Sequence, residues 1–300
     1  MLKIAYSPSY VHPLPEGHRF PMEKYELLPG QLLHERIVRM SNFFTPQPLE
    51  EQWILAAHDL HYWSKLSSLS LSKSEARATG FPLSKQLVER EVLIAGGSVQ
   101  AALFALEFGI AMNIAGGTHH AFSDRGEGFC LLNDLAITAN YLLKQQLRKK
   151  VLIVDLDVHQ GNGTASICKA NPDIFTFSMH GAKNYPHHKE ISSMDVELAD
   201  GTTDHDYLNL LDQKMSEILR QFNPDFIIYQ SGVDVLHTDK LGRLGMTIPG
   251  VKQRDKKVLE FARELSAPVM CCMGGGYSAD IGTIIDAHSQ LYRVAQDLYF

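Results

Sequence analysis

The 300-residue chain carries 28 Lys+Arg against 34 Asp+Glu, a formal charge of −6, with 45% hydrophobic and 21% charged residues. This is an ordinary globular composition, and its mild acidity lacks the basic footprint by which proteins hold nucleic acid. Apolar runs such as Ala101 to Leu106 and Val269 to Met273 fall far short of the roughly 20 residues that cross a bilayer, so no membrane span is expected.

In chain order, the opening Met1-Leu2-Lys3-Ile4-Ala5-Tyr6 is strand-like and lacks the basic, apolar and small-residue segments of a secretory signal, so a cytoplasmic location is expected. The first 80 residues are irregular, with aromatic and His-rich patches at Tyr10 to Phe20 and Trp53 to Trp63. They are expected to pack on the rest as helices and loops. Ser64 to Thr79, rich in Ser, Lys and Ala, reads as a surface loop or exposed helix end. Strands are predicted at Leu2 to Tyr6, Ile110 to Ala115, Val151 to Asp157, Ile174 to Met179, Phe226 to Gly232 and Val269 to Met273. Helical patterns fall at Leu83 to Glu107, Leu131 to Lys149, Asp204 to Gln221, Val251 to Leu265 and Ala279 to Leu298. This alternation predicts an α/β fold over residues 1–300, one domain of three α/β/α layers around a mostly parallel sheet. Cys130, Cys168, Cys271 and Cys272 have neither the density nor the spacing of a disulfide framework and read as reduced core thiols.

In a parallel sheet, ligands bind beyond the carboxyl ends of the strands. Four predicted strand ends carry chemistry: Gly116-Gly117-Thr118-His119-His120, Asp155-Leu156-Asp157-Val158-His159-Gln160-Gly161-Asn162-Gly163, Ser231-Gly232-Val233-Asp234 and Gly274-Gly275-Gly276-Tyr277. Residues two apart on an extended segment face the same side, so Asp157 and His159 can hold one cation while Leu156 and Val158 enter the core. Asp234 would complete a mixed N/O set with positions left open, as a catalytic Zn²⁺ requires; Fe²⁺ suits the same ligands. Asp155 has two readings, orienting an imidazole or binding a second ion. His119 and His120 are either capped loop histidines or a pair turned into one cleft by the preceding glycines. The Gly274 to Gly276 run is either a flexible turn or a close backbone approach that aims the Tyr277 hydroxyl inward. Asn162 taken alone is equally a turn residue.

These segments, with Asp124-Arg125-Gly126-Glu127-Gly128-Phe129-Cys130 and in this order, resemble the histone deacetylase family of the arginase-deacetylase fold. Asp-Arg-Gly-x-Gly-Phe-Cys, His-Gln-Gly-Asn-Gly and Asp239-Lys240-Leu241-Gly242 look most like class IV enzymes and their bacterial relatives. Gly161 stands where a two-manganese, arginase-like site needs an Asp, so one metal is expected. The resemblance implies Zn²⁺ on Asp157, His159 and Asp234, with His119 and His120 flanking the attacking water and Tyr277 facing the substrate carbonyl. It implies a tunnel lined by Gly128, Phe129, Tyr185, Leu241 and Gly275. It further implies a structural K⁺ held by Asp155, Ser178 and the backbone of Asp157, His159 and Met179. Asn162 would orient His120 where class I members carry Asp. An amide oxygen accepts the imidazole N–H but supplies no negative charge, so a less basic His120 is expected. The implied reaction is hydrolysis of acyl groups from lysine in a protein or peptide. Small N-acyl amines such as acetylpolyamines are the alternative substrates, although Leu241 at the gate offers no acid for a cation. A non-catalytic acyl-lysine reader is a third reading, disfavoured by the intact metal and Tyr277 set.

Overall fold

Unbroken apolar runs rich in Val, Ile and Phe make strands that are buried on both faces, and such strands need helices above and below them. The computed structural model describes residues 1–300. Its eight strands are β1 (Lys3–Ala5), β2 (Phe43–Phe44), β3 (Ile110–Asn113), β4 (Val151–Asp155), β5 (Ile174–Gly181), β6 (Met194–Leu198), β7 (Phe226–Gln230) and β8 (Val269–Cys272). They form one sheet in the order β2-β1-β3-β8-β7-β4-β5-β6, and every pairing is parallel. The helices are α1 (Lys24–His34), α2 (Glu51–Ile54), α3 (Leu60–Ser67), α4 (Lys73–Thr79), α5 (Lys85–Phe108), α6 (Asp134–Lys144), α7 (Asn162–Cys168), α8 (Asp204–Gln221), α9 (Ile248–Glu264) and α10 (Ile281–Tyr299). The result is a three-layer α/β fold with one continuous core of 80 buried residues.

The chain crosses from β3 to β4 over the places later filled by β8 and β7. The four strands whose ends carry chemical residues, β3, β8, β7 and β4, are therefore consecutive neighbours in the middle of the sheet. That crossing is a topological switch point, where a crevice opens beyond the carboxyl ends of the strands.

All six expected strands are present, several of them shorter. β4 and β7 leave the ladder at Asp155 and Gln230, two residues before the apolar runs end. β2 and β6 escaped prediction: one has two residues, and the other is a half-exposed edge. α6 is shorter than the expected Leu131 to Lys149. Asn133 caps its start by accepting the Ala136 N–H, and Gln146 turns the chain out in a left-handed conformation at φ 54°. Ser64 to Thr79 holds the end of α3 and all of α4, which starts on a reciprocal Ser72–Glu75 capping box. One helix, α5, is long and apolar enough by length and composition to cross a membrane. More than half of its apolar window is buried, in packing against β3, β1, β8 and α6. All four cysteines are free and buried.

The ends of the two strands that lead to Asp157 and Asp234 are tied by one side chain. Arg254 of α9 is fully buried and donates to the carbonyls of Leu156 (3.1 Å), Gly232 (2.6 Å) and Ser231 (3.1 Å), while pairing with Asp255 at 2.8 Å. The Tyr229 hydroxyl donates to the same Asp255 oxygen at 2.6 Å. Removing the cation leaves the buried Asp255 carboxylate with the Tyr229 hydroxyl but no counter-charge, and takes a donor from three carbonyls. Arg254→Ala is therefore expected to cost roughly 3–5 kcal/mol of unfolding free energy in urea. Lys257→Ala, which breaks a surface pair with Asp212, should cost about 1 kcal/mol or less.

Candidate active site

Because β4 ends at Asp155, the next four residues leave the sheet plane with Leu156 and Val158 still buried in the core. Asp157 and His159 are thereby presented together above the sheet. Asp234 reaches them from the turn after β7, and the three offer ligand atoms all within 4.8 Å of one another, each residue buried. His159 Nδ1 lies 3.0 Å from Asp157 Oδ1 and 3.2 Å from Asp234 Oδ2. The outer carboxylate atoms are spoken for. Val158 N–H donates to Asp234 Oδ1 at 2.9 Å, and Gly275 N–H donates to Asp157 Oδ2 at 2.8 Å. Asp234 Oδ2 is left as a buried oxygen without a hydrogen bond.

Such a cluster is costly without a cation. Burial and the facing charge of Asp157 push Asp234 up to about 7. Burial opposes protonation of His159, yet the two carboxylates outweigh it and raise the imidazole to about 10. Two carboxylates and one imidazole in a buried, thiolate-free pocket fit a divalent N/O-ligated ion, Zn²⁺ or Fe²⁺ alike. Gly275 is part of the fit, since a Cβ there would run into the Asp234 carboxylate.

The glycine turn after β3 does bring both histidines to this cleft. Gly116 and Gly117 take φ of 83° and 78°, and the ring centroids of His119 and His120 stand 4.1 Å apart. Their partners differ. His119 Nδ1 lies 2.7 Å from Asp155 Oδ2, so Asp155 meets an imidazole. Burial alone would lower His119, but the charges of Asp155 and Asp157 outweigh it and its pKa is raised. His120 Nδ1 lies 2.7 Å from Asn162 Oδ1. Burial, then the charge of His119, holds its pKa well below the usual imidazole range.

Tyr277 stands across the cleft, its ring centroid 6.4 Å from that of His159. Its backbone N–H donates to Asp239 Oδ2 at 2.6 Å, and Asp239 Oδ1 accepts the N–H groups of Leu241 and Gly242. One carboxylate thus fastens the Asp239 to Gly242 turn to Tyr277. Burial and the nearby Asp234 push the phenol well above its usual pKa.

A cavity of about 310 Å³ descends to these groups and is lined by Gly128, Phe129, Tyr185, Leu241, Gly275 and Tyr277, so all five expected wall positions border it. Gly128 takes φ 58°, which glycine adopts freely, and Phe129 takes φ 67°, which is strained for a side chain; the pair is held by N–H bonds to the carbonyls of Ala78 and Thr79. A Cβ at Gly128 would press on the His120 ring at 2.7 Å. Ser178 and Met179 are buried on β5, with Ser178 beside Asp155 of β4 in the ladder. The Ser178 hydroxyl lies 2.9 Å from His180 Nδ1.

Several site residues carry no sequence motif. Phe20 packs edge-on against Phe129 and Tyr277. His18 Nε2 lies 2.9 Å from the Gly80 carbonyl. Lys24, fully buried, donates to the Gly274 carbonyl at 3.1 Å. His58, held neutral with its pKa lowered to about 4 by burial, links the Phe122 carbonyl to the Asn133 N–H at 2.9 Å each. The two aromatic, His-rich patches of the first 80 residues are thus a tunnel wall and a brace.

Residues 18–290 match the histone deacetylase domain family. The chain belongs to the histone deacetylase family. It is similar to an uncharacterized protein of a Picosynechococcus strain, 42% identical over 296 residues and 99% of both chains. It is also similar to histone deacetylase 2 of Arabidopsis thaliana, 32% identical over 309 residues, or 95% of this chain and 76% of that protein. Among solved structures, an HDAC homologue complexed with SAHA aligns with a TM-score of 0.83 at 23% identity, over 97% of this chain and 82% of that one. The HD domain of HDA15 aligns with a TM-score of 0.83 at 19% identity, over 99% and 88%. At those identities the solved structures establish the arginase-deacetylase fold, and the family makes the chain a deacetylase-type hydrolase.

The cluster predicts a direct measurement. Zn²⁺ titrated calorimetrically into metal-stripped protein should bind at one site per chain and raise Tm, and Asp234→Asn should lose both effects. Full binding by that variant would remove Asp234 from the donor set.

Proposed function

We propose that this histone deacetylase family member is a Zn²⁺-dependent hydrolase that removes acyl groups from the side-chain amine of lysine in proteins or peptides. The observation that carries the reading is the convergence, at the base of one cavity, of Asp157, His159 and Asp234 with two differently partnered histidines and Tyr277. A divalent ion bound there supplies a Lewis acid toward the acyl carbonyl and makes a neighbouring water acidic. The chain's own groups do the rest. His120, with Nδ1–H donated to Asn162 and its pKa lowered, has a free Nε2 that takes the proton of the attacking water and returns it to the leaving lysine amine. His119, bound to Asp155, stabilises charge beside it. Tyr277 keeps its proton, since its pKa is raised, and donates it in a hydrogen bond to the developing oxyanion. Gly128 and Phe129 enclose the aliphatic stem and exclude water from it. We assign Asp155, Ser178 and the backbone of Asp157, His159 and Met179 to a structural K⁺; the adjacency of Asp155 and Ser178 on β4 and β5 supports this.

The mouth supports peptide over polyamine. Arg19 and Arg77 are exposed and line the cavity, and Asp157, a metal ligand in this reading, is its sole acidic lining residue. The Arg19 guanidinium is stationed over the Phe129 ring at 5.5 Å. An acetylpolyamine, carrying further ammonium groups, meets like charge there, whereas an acyl-lysine followed by Asp or Glu meets opposite charge.

Release of acid from acetyl-, octanoyl- and myristoyl-lysine peptides by the Zn²⁺-loaded protein tests the reaction, with metal-stripped protein as control. Metal-dependent release is expected, and Tyr277→Phe should lower turnover by about 10²–10³-fold. A fully active Tyr277→Phe would end the oxyanion assignment. The mouth is tested with one acetyl-lysine peptide carrying acidic or basic flanks, beside an acetylpolyamine. kcat/KM should fall in that order, and the spread should shrink with added salt. Fastest turnover of the acetylpolyamine would overturn the peptide reading.

A further inference from the structure

Asn162 is buried, 2% exposed, and both ends of its amide are engaged. Oδ1 lies 2.7 Å from His120 Nδ1, and Nδ2 donates to Glu127 Oε1 at 2.7 Å. We propose that Glu127 is a positioning residue that sets which end of the Asn162 amide faces His120, and thereby which nitrogen of His120 is free. The inference rests on His120 being the base of the proposed reaction.

The argument is one of donors and acceptors. The two ends of an amide are nearly the same shape, and nothing in an isolated Asn decides which end points where. Oxygen toward His120 accepts Nδ1–H and leaves Nε2 unprotonated. Nitrogen toward His120 donates to Nδ1 and forces the proton onto Nε2, which can then accept nothing from water. A carboxylate accepts and never donates, so Glu127 binds only the NH₂ end. With Glu127 in place, a flipped Asn162 would set two oxygens against each other at hydrogen-bond distance with no proton between them. Had residue 162 been Asp, both oxygens would accept and no such guard would be needed.

Glu127 is built to hold that place. Its side chain is 20% exposed, with Arg125 Nε 3.6 Å from the second carboxylate oxygen. Arg125 is itself stacked 3.6 Å over the Phe122 ring. The Glu127 carbonyl accepts the Cys130 N–H at 2.9 Å, closing the turn that carries Gly128 and Phe129. The tunnel wall and the amide guard are thus one short loop.

The test compares Glu127→Ala in the native and the Asn162→Asp backgrounds, on the Zn²⁺-loaded 300-residue chain. A hydrogen bond to a charged group biases an equilibrium by roughly ten- to a hundredfold, so with Glu127 nearly every molecule holds the competent amide orientation and without it about half do; Glu127→Ala should lower kcat by about twofold with little change in KM. Glu127→Gln, whose amide can offer Asn162 either a donor or an acceptor, should keep the contact but lose the bias and behave like Glu127→Ala. In the Asn162→Asp background the sign should reverse. Glu127 there faces a second carboxylate, and its removal should leave kcat unchanged or raise it. Imidazole ¹⁵N NMR reads the tautomer directly: His120 should be protonated at Nδ1 in the native protein and shift toward Nε2–H in Glu127→Ala. Equal losses of kcat in both backgrounds would mean a merely structural role and would overturn the proposal, as would an unchanged tautomer in Glu127→Ala. Absence of hydrolysis by the native enzyme would count against the proposed reaction instead, and the NMR signature would still decide the role of Glu127. Should Glu127→Ala fail to fold, Glu127→Lys, which puts a donor where the acceptor was, gives the same reading: Nδ1–H retained there refutes the guard.

Discussion

Two buried carboxylates, Asp157 and Asp234, face each other at the base of the cavity, and the rest of the molecule is organised around that constraint. Neither is more than 1% exposed, and paired buried charges of one sign are unfavourable unless donors or a cation offset them. The donors come from the backbone, as Val158 N–H and Gly275 N–H each take one oxygen. For those N–H groups to be aimed inward, β4, β7 and β8 must end together and their connecting loops must turn over the sheet. Arg254 enforces this by collecting three carbonyls from the ends of β4 and β7 beneath the cluster. A parallel sheet with its switch point at β3/β4 is the architecture that brings four such ends side by side.

The same constraint divides the work of the two histidines. Adjacent in sequence and 4.1 Å apart by ring centroid, they would titrate alike in like surroundings. Asp155 is placed behind His119 and Asn162 behind His120, and their pKa values move apart, one raised and one lowered. Pairs of titratable groups driven apart by their surroundings are how one cleft holds a base and a charge stabiliser together. A second carboxylate in place of Asn162 would also add negative charge to a cleft that already has too much. An amide avoids that, but its two ends are different, and a protein that uses it must specify which end faces inward.

Much of this was legible in the sequence because strand ends are local. Asp157 and His159 are two apart, the histidines follow a Gly-Gly turn, and Tyr277 follows three glycines, so placing the central strands placed these residues at one edge of the sheet. The expected wall positions Tyr185 and Leu241 also border the cavity. What escaped detection depends on contacts distant in sequence. β2 has too few residues for any periodicity, and β6, with one face open to solvent, lacks the apolar run that marks the interior strands. The Glu127 side chain meets Asn162 across 35 positions, Lys24 meets Gly274 across 250, and His58 meets Asn133 across 75. Each is an ordinary polar residue until its partner is known.

The irregularity of the first 80 residues has the same origin. A segment that builds a sheet repeats every two residues, and one that covers a sheet repeats every three or four. Phe20, packed on both Phe129 and Tyr277, and His18, bound to the Gly80 carbonyl, are spaced by the needs of a tunnel. They therefore show no period at all. The reacting groups sit on loops anchored directly to strands, where a shift of register would disrupt the sheet, whereas the walls come from segments joined by side-chain contacts. Substitutions in the walls can thus alter what enters the tunnel without moving the groups at its base. Glu127 is the exception, because it belongs to a wall loop and reaches through Asn162 to His120, so changes on that loop alter entry and chemistry together.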